Sequence, residues 1–426
     1  MREFLLISYL YPPVINSGTQ HIIRFARYLP DVGYHPIILT SATRGDLPDD
    51  ALNDVFRAGE FLGAVKRFYR ARHFQKTSNT DGTSTTITPQ SGIGRLLRQW
   101  AIPDLQVTWY PLALRHGRML VKAYSIEMLY STSGPETNHL VALELKRETG
   151  LPWVADFRDG WLFEPLIEAR STIRLRHTLE VCLERAVVRN ADHIVILNQR
   201  MADDLYARYP EAASKVTIIS NGFDASEFAS IERQPNGKFT LVHTGALELS
   251  RRGTSIGGFL EALARLKREN HAILQDLHII MIGRLTDDEI TAIRASGVIT
   301  LFTMIDQMAH SEALQYQVNA EVLFLITHPT DLAISTTKLF EYLGARRPIL
   351  ALTPKESSAA HIIEETRTGV IAPPDDPATI YSALVALYDQ WRRSELGLPA
   401  DSSVNRYEYR FLTSQLARLF DRAIRT

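Results

Sequence analysis

Short apolar runs alternate along the chain with longer segments in which apolar residues recur every three or four positions. The run at 4–8 is typical of a strand buried in a parallel sheet, and the pattern at 21–29 is typical of a covering helix. The first half of the chain repeats this alternation, so it is predicted to be a doubly wound α/β domain. Its further strands are predicted at 36–39, 128–131, 153–156, 193–197 and 216–219.

A polar stretch at 223–237 separates this pattern from a second set of alternating elements. We expect two doubly wound Rossmann-like domains facing across a cleft, the first over 1–225 and the second over 226–404. A final helical pattern at about 405–426 is expected to pack back on the first domain. The strands of the second domain are predicted at 239–243, 277–282, 299–302, 322–326, 349–352 and 369–371.

The segment after the strand at 322–326 combines a helix cap with a cation in an unfavourable place. Ser335 or Thr336 can cap the helix through its hydroxyl, and Lys338 then falls in the first turn, where the helix dipole disfavours a positive charge. A bound anion would remove that conflict, and Glu341 on the same face could accept hydrogen bonds from two ribose hydroxyls. This arrangement predicts a nucleoside diphosphate site, and a solvated helix with an ordinary Lys–Glu pair is the alternative.

Two more strand ends of the second domain carry candidate residues for the same ligand. The strand at 239–243 leads into a turn at Gly245, and Arg251 and Arg252 follow before the next helix. Because the carboxyl ends of parallel strands lie at one edge of a sheet, either arginine could meet the phosphates, and a solvated arginine pair is the alternative. The loop after Gly283 is expected to contact the nucleotide base.

The strand ends of the first domain offer residues for an acceptor. Gly18 lets the backbone approach a ligand closely, and Ser17 or Thr19 can cap the helix that follows. Asp159 is a candidate for contacting a hydroxyl nucleophile. His139 is a candidate for bonding a transferred sugar or the acceptor, with a structural histidine as the alternative.

Composition narrows the classes of partner and compartment. Lys and Arg total 47 against 48 Asp and Glu, so no bulk charge indicates nucleic acid. The single cysteine, Cys182, excludes an internal disulfide and fits a reducing compartment, and its apolar helical surroundings predict a buried side chain. The start of the chain lacks the shape of a signal peptide, and no apolar run is long enough to span a bilayer, so we expect a cytoplasmic protein.

Residues 61–100 interleave basic side chains with aromatic and apolar ones around a small, polar stretch at 77–91. One interpretation is a peripheral contact with the inner face of the membrane or with a lipid acceptor. The other is a solvated charged surface over a small core.

Several familiar signals do not occur in the sequence. There is no complete dinucleotide fingerprint, P-loop or nucleophile elbow, and no Asp-any-Asp pair that would hold a metal on a diphosphate. We therefore expect no metal and no cofactor, and basic side chains with helix amides should neutralise the phosphates.

Several short motifs, taken in chain order, resemble those of the two-Rossmann-domain nucleotide-sugar glycosyltransferases often called family 4, which have the GT-B architecture. Their order and spacing cover nearly the whole chain. They are the loop at 11–19, the Ser-Gly-Pro segment that precedes His139, Asp-Phe-Arg-Asp at 156–159, Ile-Ser-Asn-Gly-Phe-Asp at 219–224, His-Thr-Gly at 243–245 and Lys-Leu-Phe-Glu-Tyr-Leu at 338–343.

The resemblance implies a retaining, metal-independent transfer from a nucleotide diphosphate sugar to a glycan, lipid-linked or small-molecule hydroxyl acceptor. It suggests bacterial surface-polysaccharide or natural-product glycoside synthesis. By the same resemblance Glu341 would hold the ribose, Lys338, Thr337 and an arginine at 251 or 252 would hold the diphosphate, and Gly18 would lie beside the phosphate and sugar.

One position departs from the family pattern. Many relatives have a second glutamate eight residues before the one that matches Glu341, where it contacts the sugar, and this chain has Ala333 there. The donor sugar therefore cannot be carried over from the resemblance. A nucleotide-sugar epimerase of the same architecture and a catalytically silent binding protein stay open as alternatives.

Overall fold

The structure is a computed structural model of the chain. It describes residues 1–14, 17–43, 53–60, 101–163, 174–247, 256–330, 332–333, 336–397 and 399–425, with only the backbone at 17 and 18. Predictions about 61–100, Arg251, Arg252 and Ser335 lie outside the described residues. The chain divides into two compact units: Met1–Ser220 with Leu412–Thr426 forms unit 1, and Asn221–Phe411 forms unit 2.

Unit 1 is built on a parallel sheet of seven described strands in the order β3-β2-β1-β4-β5-β6-β7. Helices alternate with these strands along the chain, as the apolar pattern predicts. The strands are β1 (Arg2–Ile7), β2 (Tyr34–Ser41), β3 (Asp54–Ala58), β4 (Ile126–Thr132), β5 (Trp153–Phe157), β6 (His193–Ile196) and β7 (Val216–Ile218). The helices are α1 (Ser17–Tyr28), α2 (Tyr110–Ala123), α3 (Thr137–Thr149), α4 (Arg174–Asn190) and α5 (Gln199–Arg208).

Unit 2 repeats the plan with six described strands, all parallel, in the order β10-β9-β8-β11-β12-β13. The strands are β8 (Phe239–Thr244), β9 (Leu277–Ile282), β10 (Phe302–Ile305), β11 (Val322–Ile326), β12 (Ile349–Leu352) and β13 (Gly369–Ala372). The helices are α6 (Gly257–Arg268), α7 (Ile273–Asp276), α8 (Asp287–Ala295), α9 (His310–Asn319), α10 (Thr337–Gly344), α11 (Ser358–Thr366), α12 (Pro377–Arg392) and α13 (Asp401–Val404).

Each sheet has a point at which the strand order changes direction. In unit 1 it lies between β1 and β4, and in unit 2 it lies between β8 and β11. At such a point the loops leave adjacent strands toward opposite sides, and a crevice opens at the carboxyl ends of the strands. The topology therefore directs attention to the loops after β1 and β4 in unit 1, and after β8 and β11 in unit 2.

The last helix, α14 (Tyr409–Arg425), contributes its residues from Leu412 onward to unit 1. Phe420 is fully buried there. Its ring centroid lies 5.2 Å from those of Phe4 and Tyr34 and 5.4 Å from that of Tyr130. Aromatic clusters of this kind bury large areas in favourable edge-to-face contacts, so they fix the helix on the sheet.

The predicted α/β fold class with two doubly wound domains is confirmed, and most predicted strands overlap the observed ones. The strand predicted at 299–302 is wrong in position, because Ile299–Leu301 is a short 3₁₀ helix and β10 begins at Phe302. Strand β3 was not predicted, because its one fully buried residue is Ala58 and it lacks an apolar run. The single helix predicted at about 405–426 starts later than expected, because Asn405–Tyr407 is a 3₁₀ turn and the α-helix begins at Tyr409.

The prediction that Cys182 is buried is wrong, because its side chain is exposed. On α4 the buried positions include Glu180, Glu184 and Val187, which recur every three or four residues. Cys182 lies between them on the opposite side of the helix. No described helix is both long and apolar enough to cross a membrane.

We predict that Phe420→Ala lowers the free energy of unfolding of unit 1 by about 3–5 kcal/mol, because it removes a buried aromatic ring and leaves a cavity. Urea denaturation followed by circular dichroism would measure this loss. The matched control is Phe411→Ala on the same helix, where the side chain is 43% exposed, and a change of less than about 0.5 kcal/mol is expected. Equal losses for both variants would contradict the packing described here.

Candidate functional site

Two strand ends and the start of a helix meet at the switch point of unit 2. Gly245 follows β8 with a φ of 85°, and its N–H donates to the carbonyl of Ile282 over 2.7 Å. The ammonium of Lys338, in the first turn of α10, donates a hydrogen bond to the carbonyl of Ala246. A Cβ at position 245 would lie 2.8 Å from Cε of Lys338. Gly245 is therefore required both by its backbone conformation and by the lysine stem packed against it.

Gly283, which follows β9, makes a second close approach. Its φ is 125°, and a Cβ there would lie 2.8 Å from the carbonyl carbon of Gly245. The main chains of the two strand ends thus touch, and a side chain on Gly283 would force them apart. The structure brings the predicted site residues Gly245, Gly283 and Lys338 together.

Glu341 lies one helical turn after Lys338, and its side chain is 17% exposed. Its Oε2 accepts a hydrogen bond from Nε2 of Gln317 over 3.2 Å, and its Oε1 lies 3.9 Å from Nδ1 of His310. The carboxylate is therefore oriented by helix α9 and keeps an accessible edge. Such a carboxylate can accept hydrogen bonds from two hydroxyls of a ligand.

The sequence analysis missed Gln317, which links Glu341 to the end of β8. The side chain of Gln317 is fully buried, and its Nε2 also donates to Oγ1 of Thr244 over 3.0 Å. Gln317 lies three positions after buried Leu314 on α9, so it occupies the apolar face of that helix. The sequence did contain a signal for Gln317, namely a polar amide on the otherwise apolar face of a helix.

The buried hydroxyl of Tyr342 links helix α10 to strands β8 and β11 by hydrogen bonds. Its hydroxyl accepts a hydrogen bond from the N–H of Thr244 over 3.0 Å and lies 3.3 Å from the carbonyl of Phe324, to which it donates. Burial raises the pKa of this phenol, so it stays protonated. The helix that carries Lys338 and Glu341 is thereby anchored to β8 and β11.

The helix cap differs from its prediction at Thr336. Thr336 is the N-cap residue of α10, but its side chain accepts no capping hydrogen bond. Its Oγ1 is buried and has no hydrogen-bond partner among the described residues. Thr337, the first residue of the helix, is partly exposed. The expected cap through the hydroxyl of Thr336 is therefore wrong, because that hydroxyl accepts no hydrogen bond from a first-turn amide.

A buried histidine lies in β8, two residues before Gly245 and close to Lys338. His243 in β8 is fully buried, and its Nδ1 donates to the carbonyl of Phe324 over 2.9 Å. Burial, followed by the nearby charge of Lys338, lowers the pKa of His243 to about 3. At neutral pH this histidine adds no positive charge to the strand end.

In unit 1 the loops after β4 and β5 meet through Asp159. Its N–H donates to Oγ of Ser133 over 2.9 Å, and its carboxylate pairs with the guanidinium of Arg158. Gly134 has a φ of 76°, and a Cβ there would lie 2.5 Å from Oδ2 of Asp159. The Asp159 side chain is 36% exposed, and that of Arg158 is 13% exposed. A partly exposed carboxylate is thus held at the carboxyl edge of the sheet.

His139 is completely buried at the start of α3. Its Nδ1 is hydrogen-bonded to Oγ of Ser131 over 2.8 Å, and its ring stacks on that of Phe157 with the centroids 4.9 Å apart. Burial lowers its pKa to about 4, so it is neutral at physiological pH. This is the arrangement expected of a structural histidine, and a contact with substrate stays a prediction.

The remaining predicted positions are only partly described. Ser17 and Gly18 form the first turn of α1, which follows the loop after β1. Arg251 and Arg252 lie outside the described residues, shortly after the Gly245 turn in the chain. Within the described ranges, no group of three or more His, Cys, Asp or Glu side chains is placed to hold a metal ion.

Comparison with known proteins agrees with this fold. Residues 19–222 match the family model described as "Glycosyl transferase 4-like domain". No curated protein sequence matches the chain.

Solved structures share the fold over nearly the whole length of the chain. Sucrose-phosphate synthase from Thermosynechococcus elongatus is 13% identical, with a TM-score of 0.65 and 99% of each chain covered. HepE from Anabaena, in complex with UDP and glucose, is 12% identical, with a TM-score of 0.59 and 99% of each chain covered.

A putative UDP-N-acetylglucosamine 2-epimerase from Listeria monocytogenes is also similar. It is 10% identical, with a TM-score of 0.55, and the match covers 98% of this chain and 95% of that one. At sequence identities of 10–13%, the solved structures show that the chain shares their fold. The family model, in contrast, is a match of sequence, and it covers residues 19–222. The family model thus assigns residues 19–222 to a glycosyl transferase 4-like domain, and the solved structures show that the whole chain has the GT-B fold of two Rossmann-like domains.

Proposed function

We propose that the chain transfers a sugar from a nucleotide diphosphate sugar to a hydroxyl acceptor. The observation that carries the proposal is the position of Lys338 against the Gly245 turn, with Glu341 one helical turn away on the same helix face. A cation at a helix start suits phosphate, and a carboxylate one turn along suits a ribose. The complex of HepE with UDP and glucose supports a donor of this class.

The diphosphate would lie at the start of α10 in unit 2. Lys338 and the first-turn amides, beginning at Thr337, would neutralise it. Arg251 and Arg252 follow the Gly245 turn in the chain and are proposed to contribute one further cation. Negative charge grows on the leaving phosphate oxygens as the glycosidic bond breaks, so these groups would stabilise the transition state more than the ground state.

The nucleoside would extend along the same helix. Glu341 would accept hydrogen bonds from the ribose hydroxyls, because its carboxylate is accessible and already oriented by Gln317. The loop after Gly283 lies beside the Gly245 turn and is proposed to contact the base. At position 333, where many relatives have a glutamate that contacts the sugar, this chain has a buried alanine. This position therefore supplies no carboxylate to the sugar.

The acceptor would be bound by unit 1. The carboxylate of Asp159, oriented by Arg158 and Ser133, is proposed to contact the acceptor hydroxyl. Gly18 and Ser17, at the start of α1, are proposed to lie beside the phosphate and the transferred sugar. Retention of configuration and a place in surface-polysaccharide or natural-product synthesis follow from the resemblance, and the membrane contact proposed for 61–100 follows from its basic and aromatic pattern.

A nucleotide-sugar epimerase is the second candidate, since a putative epimerase shares the fold over almost the whole chain. An epimerase converts its donor without an acceptor, whereas a transferase needs one to form a glycoside. Incubation with donor alone followed by mass spectrometry and NMR of the sugar separates the two. An epimerised nucleotide sugar as the sole product would replace the transferase proposal.

We expect Glu341→Ala and Lys338→Ala each to weaken nucleoside diphosphate binding. The loss for Glu341→Ala should be at least about 100-fold, because two charge-assisted hydrogen bonds of about 1.5–3 kcal/mol each disappear. Titration calorimetry with UDP, GDP, ADP, CDP and TDP would measure the affinities and identify the base.

The matched control for Lys338→Ala is Lys238→Ala. Lys238 is exposed and immediately precedes β8, so it lies at the opposite end of that strand from the Gly245 turn. The Lys238→Ala variant changes the net charge by the same amount as Lys338→Ala, and it should bind nucleotide as tightly as the wild type does. Unchanged affinity in both site variants would refute the site.

Gln317→Leu should weaken binding of the nucleoside diphosphate by about 3- to 10-fold, because Glu341 loses the donor that orients it. Binding of inorganic pyrophosphate should be weakened less than that of the nucleotide, because Gln317 bonds Glu341 directly and reaches the Lys338 end of the site only through Thr244. The control is Gln315→Leu on the same helix, at a partly exposed position whose side chain bonds Glu232 and Asn319 instead of Thr244 and Glu341. A parallel loss for pyrophosphate and nucleotide would mean that Gln317 acts only through stability.

Transfer activity is expected to survive removal of divalent metal ions, because Lys338 and helix amides are proposed to neutralise the leaving diphosphate. Initial rates measured with excess EDTA and with added Mg²⁺ should agree within about twofold. A strict requirement for a divalent ion would contradict this part of the mechanism and leave the nucleotide site intact.

A further inference from the structure

A basic pocket lies in unit 1, in a part of the molecule that the proposed transfer does not use. It is formed by the edge strand β7 and the last helix, α14, and its volume is about 540 Å³. All of its lining residues belong to the same compact unit. They include Thr217 and Ile218 of the strand, and Gln415, Arg418, Arg422 and Arg425 of the helix.

The strand wall of the pocket is the carboxyl end of β7, because Thr217 and Ile218 are in register, through β6, with Asp156 and Phe157 at the end of β5. Asp421, which also lines it, accepts hydrogen bonds from the hydroxyl of Tyr34 over 2.8 Å and from the guanidinium of Arg2 over 3.0 Å. Arg2 and Tyr34 are the first residues of β1 and β2. Asp159 follows the carboxyl end of β5, two strands away from β7 in the sheet. The pocket therefore extends from the carboxyl end of β7 toward the amino ends of β1 and β2, and none of its lining residues belongs to the loops after β4 and β5.

The net charge of the pocket is positive. The one acid in its lining, Asp421, is already paired with Arg2. Arg418, Arg422 and Arg425 follow one another at spacings of four and three residues, so they lie on one face of the helix. Arg418 and Arg425 are exposed and form no ion pair with a described residue. Their mutual repulsion is unfavourable for an isolated helix, and a bound anion would relieve it.

Further donors complete the lining. Nη2 of Arg422 lies 3.5 Å from Oγ1 of Thr217, so one guanidinium is directed toward the strand wall of the pocket. The amide of Gln415 adds two N–H donors on the helix wall. Guanidinium groups bind phosphate oxygens with two parallel hydrogen bonds, and the hydroxyl and amide suit its remaining oxygens.

We propose that this pocket binds a phosphate-bearing ligand, either free phosphate or the headgroup of an acidic lipid. The ligand would bridge the arginine face of α14 and the edge strand β7. Occupation would hold α14 on unit 1 through residues that the proposed sugar transfer does not use.

The first test is titration calorimetry of the full chain with inorganic phosphate at constant ionic strength, with Lys338→Ala added to every protein so that the proposed donor site does not contribute. The double variant Arg418→Gln/Arg425→Gln should bind at least about tenfold more weakly than the Lys338→Ala parent, because two charge-assisted contacts are lost. The matched control is Arg200→Gln/Arg268→Gln, which changes the same net charge at exposed arginines outside the pocket. It should bind as the parent does.

The second test separates the two sources of phosphate. Co-sedimentation with vesicles of phosphatidylcholine containing phosphatidic acid is compared with co-sedimentation with phosphatidylcholine alone. Sedimentation only with phosphatidic acid, lost in the double variant and kept in the control, assigns the pocket to a lipid headgroup. Binding of the free anion without sedimentation assigns it to a soluble phosphate.

Failure of both tests overturns the proposal, as does equal binding by the double variant and the control. Binding of polyglutamate without either form of phosphate also overturns it, in favour of an acidic protein partner. Nucleoside diphosphate affinity is measured in parallel, in proteins that keep Lys338. If it is unchanged in the double variant, the protein is folded and the donor site is intact, so the two proposals succeed or fail separately.

Discussion

The contact between two strand ends in unit 2 is the constraint on which the candidate donor site depends. Gly245 and Gly283 both have positive φ angles, and a side chain on Gly283 would collide with the main chain of Gly245. Glycine alone meets both demands. The space left beside Gly245 is filled by the stem of Lys338, whose ammonium donates to the next carbonyl. The position of the cation is thus set by main-chain geometry at the end of a buried sheet, which is more rigid than a surface loop.

The second element of the site is a set of buried hydrogen bonds that hold helix α10 in place. Gln317 donates to both Thr244 and Glu341, and the hydroxyl of Tyr342 joins Thr244 to Phe324. Each buried polar group in such a set is costly when unpaired, so the members tend to fix one another. The end of β8 and the helix therefore behave as one piece, and Lys338 and Glu341 keep a constant separation of one helical turn. A ligand that spans both residues meets a site that is already formed.

The strands of both sheets, the two-domain plan and the helix with Lys338 and Glu341 could be predicted from the sequence, because buried parallel strands are continuous apolar runs. Three things could not. The edge strands β3 and β10 are partly exposed and carry no such run, so one was missed and the other misplaced. Gln317 lies 24 positions before Glu341 in the chain, and their contact exists only once β8, α9 and α10 are packed. The burial of His139 follows from its stacking on Phe157, a contact made across two elements.

Two buried histidines show how both units control charge near their switch points. His139 is hydrogen-bonded to Ser131 of β4, and His243 bonds the carbonyl of Phe324 of β11, so each ring links neighbouring elements close to a candidate site. Burial lowers their pKa values to about 4 and about 3. Both rings are therefore neutral over the physiological range, and they tie the strands together without adding a cation. At the end of β8 the positive field that acts on a diphosphate then comes from Lys338 and the dipole of α10, with no charge from His243.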